Sequence, residues 1–433
     1  MLTTGDTLRV PSGAGDVIVG DLIGQGGQGE VYAASIAGDI NAYAVKWYWP
    51  DMATTEQWDA LAALIDRPDR DSRFLWPLAL VTSPKEPAGF GYLMPLRDPA
   101  YIGIAQIVGD DIPVDLRTLA LIGMRLADTF LWLHSHGLCY RDINYGNIFA
   151  HPPTGQVLIC DVDNIGITGA SSSQVIGTVP FMAPEVIRGE MLPSTTTDLH
   201  SLAVLLYKLL LREHPLEGAR TLEHQPYDRA AQMHVLGHSP TFVFDPHDSS
   251  NGPVPELNDS ASFLWRFYPT FLRDLFTISF TDGLVDPRTR TSESMWRKAL
   301  ARLPSLFLSC PSCGAPACFD EAEAPNPCAT CAEPITPAVY LKLRRQTVMA
   351  YPNATLAAHH VLGDYDFDTA MGTVELHPSR PEVVGLRNLS HETWTAGLDG
   401  STATVEPGQV APLIPGVRIN FGGQHAEVIG ALT

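Results

Sequence analysis

The chain has 433 residues, enough for two or three domains with sizeable hydrophobic cores. Its 48 acidic residues outnumber its 28 lysines and arginines, so a net charge of −20 should repel nucleic acids and anionic membranes. Neither the apolar run SLAVLLYKLLL nor the N-terminal sequence MLTTGDTLRV predicts a membrane helix or a signal peptide, which favours a cytoplasmic protein.

Three regimes of composition follow one another along the chain. Residues 15 to about 90 predict short strands and turns with one helix, TTEQWDALAALID. Residues from about 115 to 300 show helical periodicity, and a stretch rich in Pro, Gly, Asn and Asp between 215 and 265 predicts loops. Beyond about residue 350, short alternating runs broken by turn residues predict an all-β module.

The first stretch with chemical meaning is LIGQGGQGEVYAA, which spaces Gly24, Gly26 and Gly29 ahead of Val31. Glycines let backbone amides approach phosphate oxygens without obstruction. An ordinary hairpin or a dinucleotide-binding turn fits the same pattern, but the latter leads from a strand into a helix. Strand-like segments stand on both sides here, which favours a flap over ATP. The next strand, YAVKWY, carries Lys46 between apolar residues, where an anionic partner is expected more often than plain solvation.

Two short loops then carry carboxylate and amide side chains, and the first could be either a surface turn or a loop that holds a base and a metal ligand over a phosphate. YRDINYGN places Asp142 five residues before Asn147, and VLICDVDN ends an apolar run on Asp161 and Asp163. Oxygen ligands of this kind suit a hard cation such as Mg²⁺. GTVPFMAPEV, TTTDLHSLAVLL and DPRTRTSE follow. Six motifs in this order over about 270 residues resemble a eukaryotic-type (Hanks-type) bacterial serine/threonine protein kinase.

The resemblance implies a multidomain α+β chain with a bilobal kinase-like domain at 15–305, its N-lobe at about 15–95 and its C-lobe at about 96–305. It also implies ATP and Mg²⁺ as cofactors and a protein as substrate. Asp142 is then the base that accepts the substrate hydroxyl proton, and Asn147 and Asp161 hold magnesium. The nucleotide site implied by the resemblance comprises Gly24, Gly26, Gly29, Val31, Ala44, Lys46, Glu56, Met94 and Leu96.

The resemblance also assigns structural and regulatory roles. Glu185 and Arg290 should form a buried ion pair, and Asp198 should brace the backbone of the catalytic loop. Arg141 is the arginine that can grip a phosphorylated activation loop. That loop, 164–176, contains three autophosphorylation candidates, although such a run also suits a flexible linker: Ser171, Ser172 and Ser173.

The chain departs from the family pattern around the catalytic loop. Tyr140 replaces a histidine, and Asn144 stands where a lysine usually contacts the γ-phosphate. Val162 and Asp163 replace the phenylalanine and glycine of the metal-binding motif, and the extra carboxylate can either recruit a second metal or repel ATP. These departures leave one alternative function, a pseudokinase that binds nucleotide and acts as a scaffold.

Two features of the N-lobe stay open. The carboxylate partner of Lys46 is Glu56, with Asp59 and Asp66 as alternatives, because TTEQ also fits a capping box in which Glu56 satisfies helix amides. In GYLMPLRD, Met94 is the expected gatekeeper and 95–97 the hinge, and the alternative is a plain exit from a strand into a loop.

Five of the seven cysteines lie between residues 310 and 331, in CPSCGAPAC and CATC. Two Cys-x-x-Cys knuckles at this separation can hold Zn²⁺ tetrahedrally, through Cys310, Cys313, Cys328 and Cys331. Thioredoxin-like redox chemistry is the alternative, but paired knuckles with Pro and Gly between them favour a zinc ribbon at 306–336. Cys318 is left over, and Cys139 and Cys160 are expected to be core residues.

The C-terminal segment from LRNLSHETW to RINFGG resembles the second half of a forkhead-associated domain, a β-sandwich that reads phosphothreonine, and defines a module at 350–433. The matched residues belong to turns and core. Asp364 stands where the family carries a phosphate-binding arginine, and Ser379 and Arg380 offer only a loose replacement. A scaffold that does not read phosphate is therefore favoured over a phosphoprotein reader, and both interpretations give this module a protein partner.

Overall fold

The structure is a computed structural model that describes residues 1–13, 15–168, 177–323, 326–335 and 337–430. It divides into two compact units. The first contains residues 1–114, 125–258 and 276–294, and the second contains 115–124, 259–275 and 295–433. Within the described ranges, every helix is too short or too polar to cross a lipid bilayer.

The first unit begins with a six-stranded antiparallel barrel and one helix. These elements are β1 (Thr7–Arg9), β2 (Asp16–Gln25), β3 (Gly29–Ile36), β4 (Tyr43–Tyr48), α1 (Thr55–Ile65), β5 (Ala79–Thr82) and β6 (Phe90–Pro95). The strands close in the order β1-β2-β3-β4-β6-β5. Alternation along the strands sends Leu8, Val17 and Val45 into the barrel, where they are fully buried. The barrel begins at residue 7, ahead of the boundary expected at residue 15.

Helices and short strands follow. They are β7 (Ile102–Gly103), α2 (Ile104–Val108), α3 (Leu116–Ser135), β8 (Leu138–Cys139), β9 (Ile148–Ala150), β10 (Val157–Ile159), β11 (Gly166–Ile167), α4 (Pro184–Ile187), α5 (Thr195–Leu211), α6 (Arg229–Met233), α7 (Pro255–Phe267), α8 (Thr270–Phe280), α9 (Asp282–Val285) and α10 (Glu293–Arg302). The apolar run that is too short for a membrane forms α5, a helix buried on nearly all sides. Ser194 caps its first turn, which fixes where Asp198 lies.

The second unit is mostly β-structure. Its elements after α10 are β12 (Phe307–Ser309), β13 (Pro316–Cys318), β14 (Asn326–Pro327), β15 (Pro334–Ile335), β16 (Val339–Leu343), β17 (Thr347–Met349), β18 (Thr355–Ala357), α11 (Ala358–Leu362), β19 (Ala370–His377), β20 (Arg380–Asn388), β21 (Trp394–Leu398), β22 (Ser401–Val405), β23 (Val410–Pro412), β24 (Arg418–Asn420) and β25 (His425–Gly430). Two hairpins, β12–β13 and β14–β15, carry the cysteine knuckles.

The remaining strands form two antiparallel sheets, with orders β17-β16-β25-β24-β21-β22 and β18-β19-β20-β23. Apolar residues of both sheets share one core around Trp394, with Leu341, Leu386 and Ile419 beside it. The expected start at residue 350 is too late, because β16 pairs with β25 and supplies core residues. This β-structure therefore begins at residue 339.

Two leucines test the assignment of this core. Leu386 is fully buried, whereas Leu389, three residues later, is 45% exposed. We expect Leu386→Ala to destabilise the protein by about 2–5 kcal/mol, because it leaves a cavity. The matched change Leu389→Ala should cost less than about 0.5 kcal/mol. Denaturant unfolding followed by tryptophan fluorescence measures both, and equal losses would contradict the proposed core.

Candidate active site

The loop 140–147, predicted to be catalytic, lies between β8 and β9 and is held by a carboxylate from α5. Asp198 accepts hydrogen bonds from the backbone N–H of Tyr140 at 2.6 Å and of Arg141 at 3.2 Å. Arg141 has a φ of 68°, in the left-handed region that is costly for a residue with a side chain. The Asp198 contacts therefore stabilise a loop conformation that the backbone alone would not prefer.

Donors from two sides orient Asp142. Asn147 Nδ2 donates to Asp142 Oδ2 at 3.2 Å and to the Asp142 carbonyl at 3.0 Å. The Thr178 hydroxyl donates to Asp142 Oδ1 at 2.8 Å, and Asn144 Nδ2 donates to that hydroxyl at 3.1 Å. Sequence reasoning did not single out Thr178, although it lies in the GTVPFMAPEV motif. Both carboxylate oxygens of Asp142 thus have a fixed direction.

Lys46 lies on β4 with its ammonium buried beside two carboxylates. Its Nζ donates to Asp163 Oδ2 at 2.8 Å and Oδ1 at 3.1 Å, and lies 3.5 Å from Asp161 Oδ1. Burial lowers the pKa of Lys46, but Asp163 and Asp161 more than offset it and leave the pKa above its usual value. Burial, together with the nearby Asp163 and Asp142 charges, raises the pKa of Asp161, against the opposing effect of Lys46.

The prediction that Glu56 pairs with Lys46 is wrong in this structure. Glu56 is exposed in the first turn of α1, and Thr54 caps that helix by accepting from the Gln57 N–H at 3.2 Å. The alternative Asp59 is also exposed, and Asp66 forms the C-cap. In the part of the chain that the structure describes, no carboxylate of this helix pairs with Lys46, because Asp163 already occupies that position.

Eight of the predicted site residues line one cleft of about 640 Å³. Its lining includes the glycine-rich turn and the polar residues above, namely Gly24, Gly26, Gly29, Val31, Lys46, Asp142, Asn147 and Asp161. Ala44 and Met94 belong to one hydrophobic cluster, against which Val31 and Leu96 pack. The amide oxygen of Asn147 and the carboxylate of Asp161 fit an Mg²⁺ ion, and the Lys46 ammonium fits phosphate oxygens.

Structural residues predicted for the helical part also come together. Both carboxylate oxygens of Glu185 pair with Arg290, at 2.7 and 2.9 Å, in a buried bidentate ion pair. The guanidinium of the buried Arg141 lies against the backbone of Gly166. A Cβ added at Gly166 would lie 1.5 Å from an Arg141 nitrogen, so this contact requires glycine. The serine candidates Ser171, Ser172 and Ser173 lie outside the described residues.

The second unit contains a cluster of four thiols, from Cys310, Cys313, Cys328 and Cys331, whose sulfurs all lie within 4.8 Å of one another. Cys310 and Cys331 are 3.9 Å apart, and Cys313 and Cys328 are 3.8 Å apart. Zn–S bonds of about 2.3 Å in a tetrahedron require sulfurs roughly 3.8 Å apart, so the four thiols fit Zn²⁺. Backbone N–H groups of Cys331 and Thr330 help to lower the pKa of Cys328 to about 6, which favours the thiolate.

Comparison with known proteins agrees with this geometry. Residues 103–262 match the family model of the protein kinase domain. The match does not include the glycine-rich turn or Lys46, whose placement therefore rests on the structure.

Several serine/threonine kinases are similar in sequence. PknD of Chlamydia felis is 25% identical over 245 residues, which cover 46% of this chain and 24% of PknD. The probable serine/threonine-protein kinase SCO3848 of Streptomyces coelicolor is 27% identical over 222 residues, 46% of this chain and 31% of that protein. A probable serine/threonine-protein kinase of Encephalitozoon cuniculi is 31% identical over 116 residues, 27% of this chain and 21% of its own length. The matches with this chain span less than a third of the length of each of these relatives.

His134 on α3 contacts Asp198, the carboxylate that holds the loop 140–147, and this contact depends on the protonation of His134. Its Nε2 contacts Asp198 Oδ2 at 3.1 Å, and its Nδ1 contacts Glu293. Burial lowers the pKa of His134, but the two carboxylates raise it overall from 6.5 to about 9. Since the folded pKa lies above the unfolded one, the stabilisation is fully present below pH 6.5 and is lost as pH rises through 9.

We therefore expect the thermal unfolding midpoint of the wild type to fall between about pH 6.5 and pH 9.5, and His134→Gln to remove much of that fall. The neighbouring exposed His136 supplies the matched control His136→Gln, which should keep the wild-type pH dependence. Identical pH profiles for His134→Gln and wild type would contradict the assigned protonation.

Proposed function

We propose that the protein is an ATP- and Mg²⁺-dependent serine/threonine protein kinase. The observation that carries the proposal is the meeting of Lys46, Asp142, Asn147 and Asp161 at one cleft beneath a glycine-rich turn. Glu185 and Arg290 fix the APE segment beside the helical core, which favours a platform for a protein substrate. Cytosolic signalling and the identity of the substrate remain predictions.

In the proposed mechanism, the residues of the cleft mainly position the reactants and neutralise the negative charge of the transferred phosphoryl group. Asn147 and Asp161 would hold Mg²⁺, which neutralises charge on the phosphates when bound. Lys46 would orient the α- and β-phosphates. Thr178 and Asn147 orient Asp142 Oδ1 and Oδ2, respectively, so that one oxygen can accept the proton of a substrate hydroxyl.

A pseudokinase that binds nucleotide and acts as a scaffold is the second candidate. Asn144 favours it, since its amide donates to the Asp142 carbonyl and to Thr178, and it supplies no positive charge for a γ-phosphate. The two candidates differ in outcome: a scaffold binds nucleotide without transferring phosphate.

The second unit is proposed to bind Zn²⁺ at its four-cysteine cluster and to offer a forkhead-associated-like surface to a protein partner. The Asp364 carboxylate accepts from the Asp366 N–H at 3.0 Å, and it supplies no positive charge for a phosphothreonine. A scaffold role that does not read phosphate is therefore favoured over a phosphoprotein reader.

Asp142→Asn tests the catalytic assignment. We expect the rate of phosphoryl transfer from radiolabelled ATP to fall by roughly 10²- to 10⁴-fold, because the amide cannot accept the proton. Nucleotide affinity should stay within about twofold of wild type, since Asp142 is not assigned to bind the phosphates. The exposed Asp69 offers the control Asp69→Asn. Equal transfer by Asp142→Asn and wild type would reject Asp142 as the base, and binding without transfer by the wild type would favour the scaffold.

Cys313→Ser tests the zinc proposal. We expect the purified protein to contain one Zn²⁺ per chain by elemental analysis, and the variant to lose most of it, because three thiolates bind zinc far less tightly than four. Cys318 lies outside the four-thiol cluster, so Cys318→Ala should keep the metal. A wild type without zinc, or equal zinc in both variants, would contradict the site.

A further inference from the structure

Asp163 lies near the cleft with a side chain that is completely buried, 0% exposed. It receives the Lys46 ammonium through both oxygens, at 2.8 and 3.1 Å. Two tyrosine hydroxyls of the barrel also donate to it, Tyr48 at 2.6 Å and Tyr92 at 3.2 Å. A buried carboxylate needs such hydrogen-bond partners to remain charged. Asp163 is therefore a structural residue that pairs with side chains of the barrel strands, and not a solvent-exposed carboxylate.

Helix α1 reaches this cluster with an amide instead of an acid. Gln57 Nε2 donates to the Tyr48 hydroxyl at 3.0 Å, and that hydroxyl donates to Asp163. The helix thus supports Asp163 indirectly, while its own Glu56 stays exposed.

The turn that carries Asp163 also carries two other functional contacts. Asp161, the proposed magnesium ligand, lies two residues earlier, and Asn164 Oδ1 accepts from Gln28 Nε2 of the glycine-rich turn at 3.2 Å. Gln28 Oε1 in turn accepts from Lys46 Nζ at 2.6 Å. One short turn, 161–164, therefore links the metal site, the lysine and the glycine-rich turn.

Resting on the proposed kinase function, we propose that Asp163 is the positioning residue for Lys46, in place of a helix carboxylate. Asp163 holds the Lys46 ammonium beside the cleft. It thereby prevents the ammonium from forming a shorter ion pair with Asp161, whose Oδ1 lies 3.5 Å from Lys46 Nζ. With Lys46 hydrogen-bonded to Asp163 at 2.8 Å and 3.5 Å from Asp161, the Asp161 oxygens are left available to coordinate Mg²⁺.

A double-mutant cycle on the thermal unfolding of the full chain tests the pairing without any need for activity. We expect Asp163→Asn to lower the midpoint by about 5 °C or more, because it leaves the Lys46 charge buried without its main partner. In a Lys46→Met background the same change should lower it by less than about 2 °C. Glu56→Gln should have the same small effect in both backgrounds. If Asp163→Asn does not fold alone, restoration of folding by Lys46→Met supports the proposal, and failure to restore it contradicts the proposal.

Magnesium dependence supplies a readout that a purely structural role would not move. In Asp163→Asn the ammonium turns to Asp161, so the Mg²⁺ concentration for half-maximal phosphoryl transfer should rise about tenfold or more, whereas Glu56→Gln leaves it unchanged. If the shifts of the unfolding midpoint in the double-mutant cycle are not additive but the protein transfers no phosphate, the kinase function is wrong and the Lys46–Asp163 pairing stands. If the midpoint shifts of Asp163→Asn and Lys46→Met are additive in an active protein, the role of Asp163 is wrong. The same follows if Glu56→Gln lowers the midpoint as much as Asp163→Asn does.

Discussion

A lysine ammonium buried in the wall of a barrel stays charged only if a carboxylate lies against it. Lys46 satisfies this condition through Asp163, at 2.8 Å, and the pair joins β4 to the turn that follows β10. Two parts of the chain that are 117 residues apart in sequence are therefore fixed to each other at the cleft. Asp161 lies in the same turn as Asp163, and Gln28 of the glycine-rich turn hydrogen-bonds to both Lys46 and Asn164, so this contact links both to the lysine.

A second buried acid holds the loop that carries Asp142 and Asn147. Asp198 holds the N–H groups of Tyr140 and Arg141, and His134 balances its charge. Ser194 caps the N-terminus of α5, which fixes the position of Asp198 in the first turn of that helix. With this brace in place, Asp142 and Asn147 face the cleft in fixed directions, so the site can position reactants at little further cost in conformational entropy.

The parts of the site that sequence could predict are those carried by local motifs. Asp142 and Asn147 are five residues apart in one loop, and Asp161 ends a short strand, so the short motifs that carry the kinase resemblance contain them. The partner of Lys46 was not predictable in this way, since the pairing is long-range and two alternatives for Asp163 seemed open: recruitment of a second metal or repulsion of ATP. Thr178 was missed for the same reason, because its contact with Asp142 joins residues 36 apart.

The fold shows a similar division. The apolar run of α5 and the paired cysteine knuckles are local signals, and the structure places them as a core helix and as a cluster of four thiols. The start of the C-terminal sheets was misjudged, because VYLKL is recognisable as their strand only through its pairing with HAEVIG, more than eighty residues later.

A crystal structure with a non-hydrolysable ATP analogue and Mg²⁺ tests the central claim most directly. The account predicts phosphates between Lys46 and the metal held by Asn147 and Asp161, with the ammonium still paired to Asp163. A nucleotide bound elsewhere, or a metal that contacts neither Asn147 nor Asp161, would contradict it.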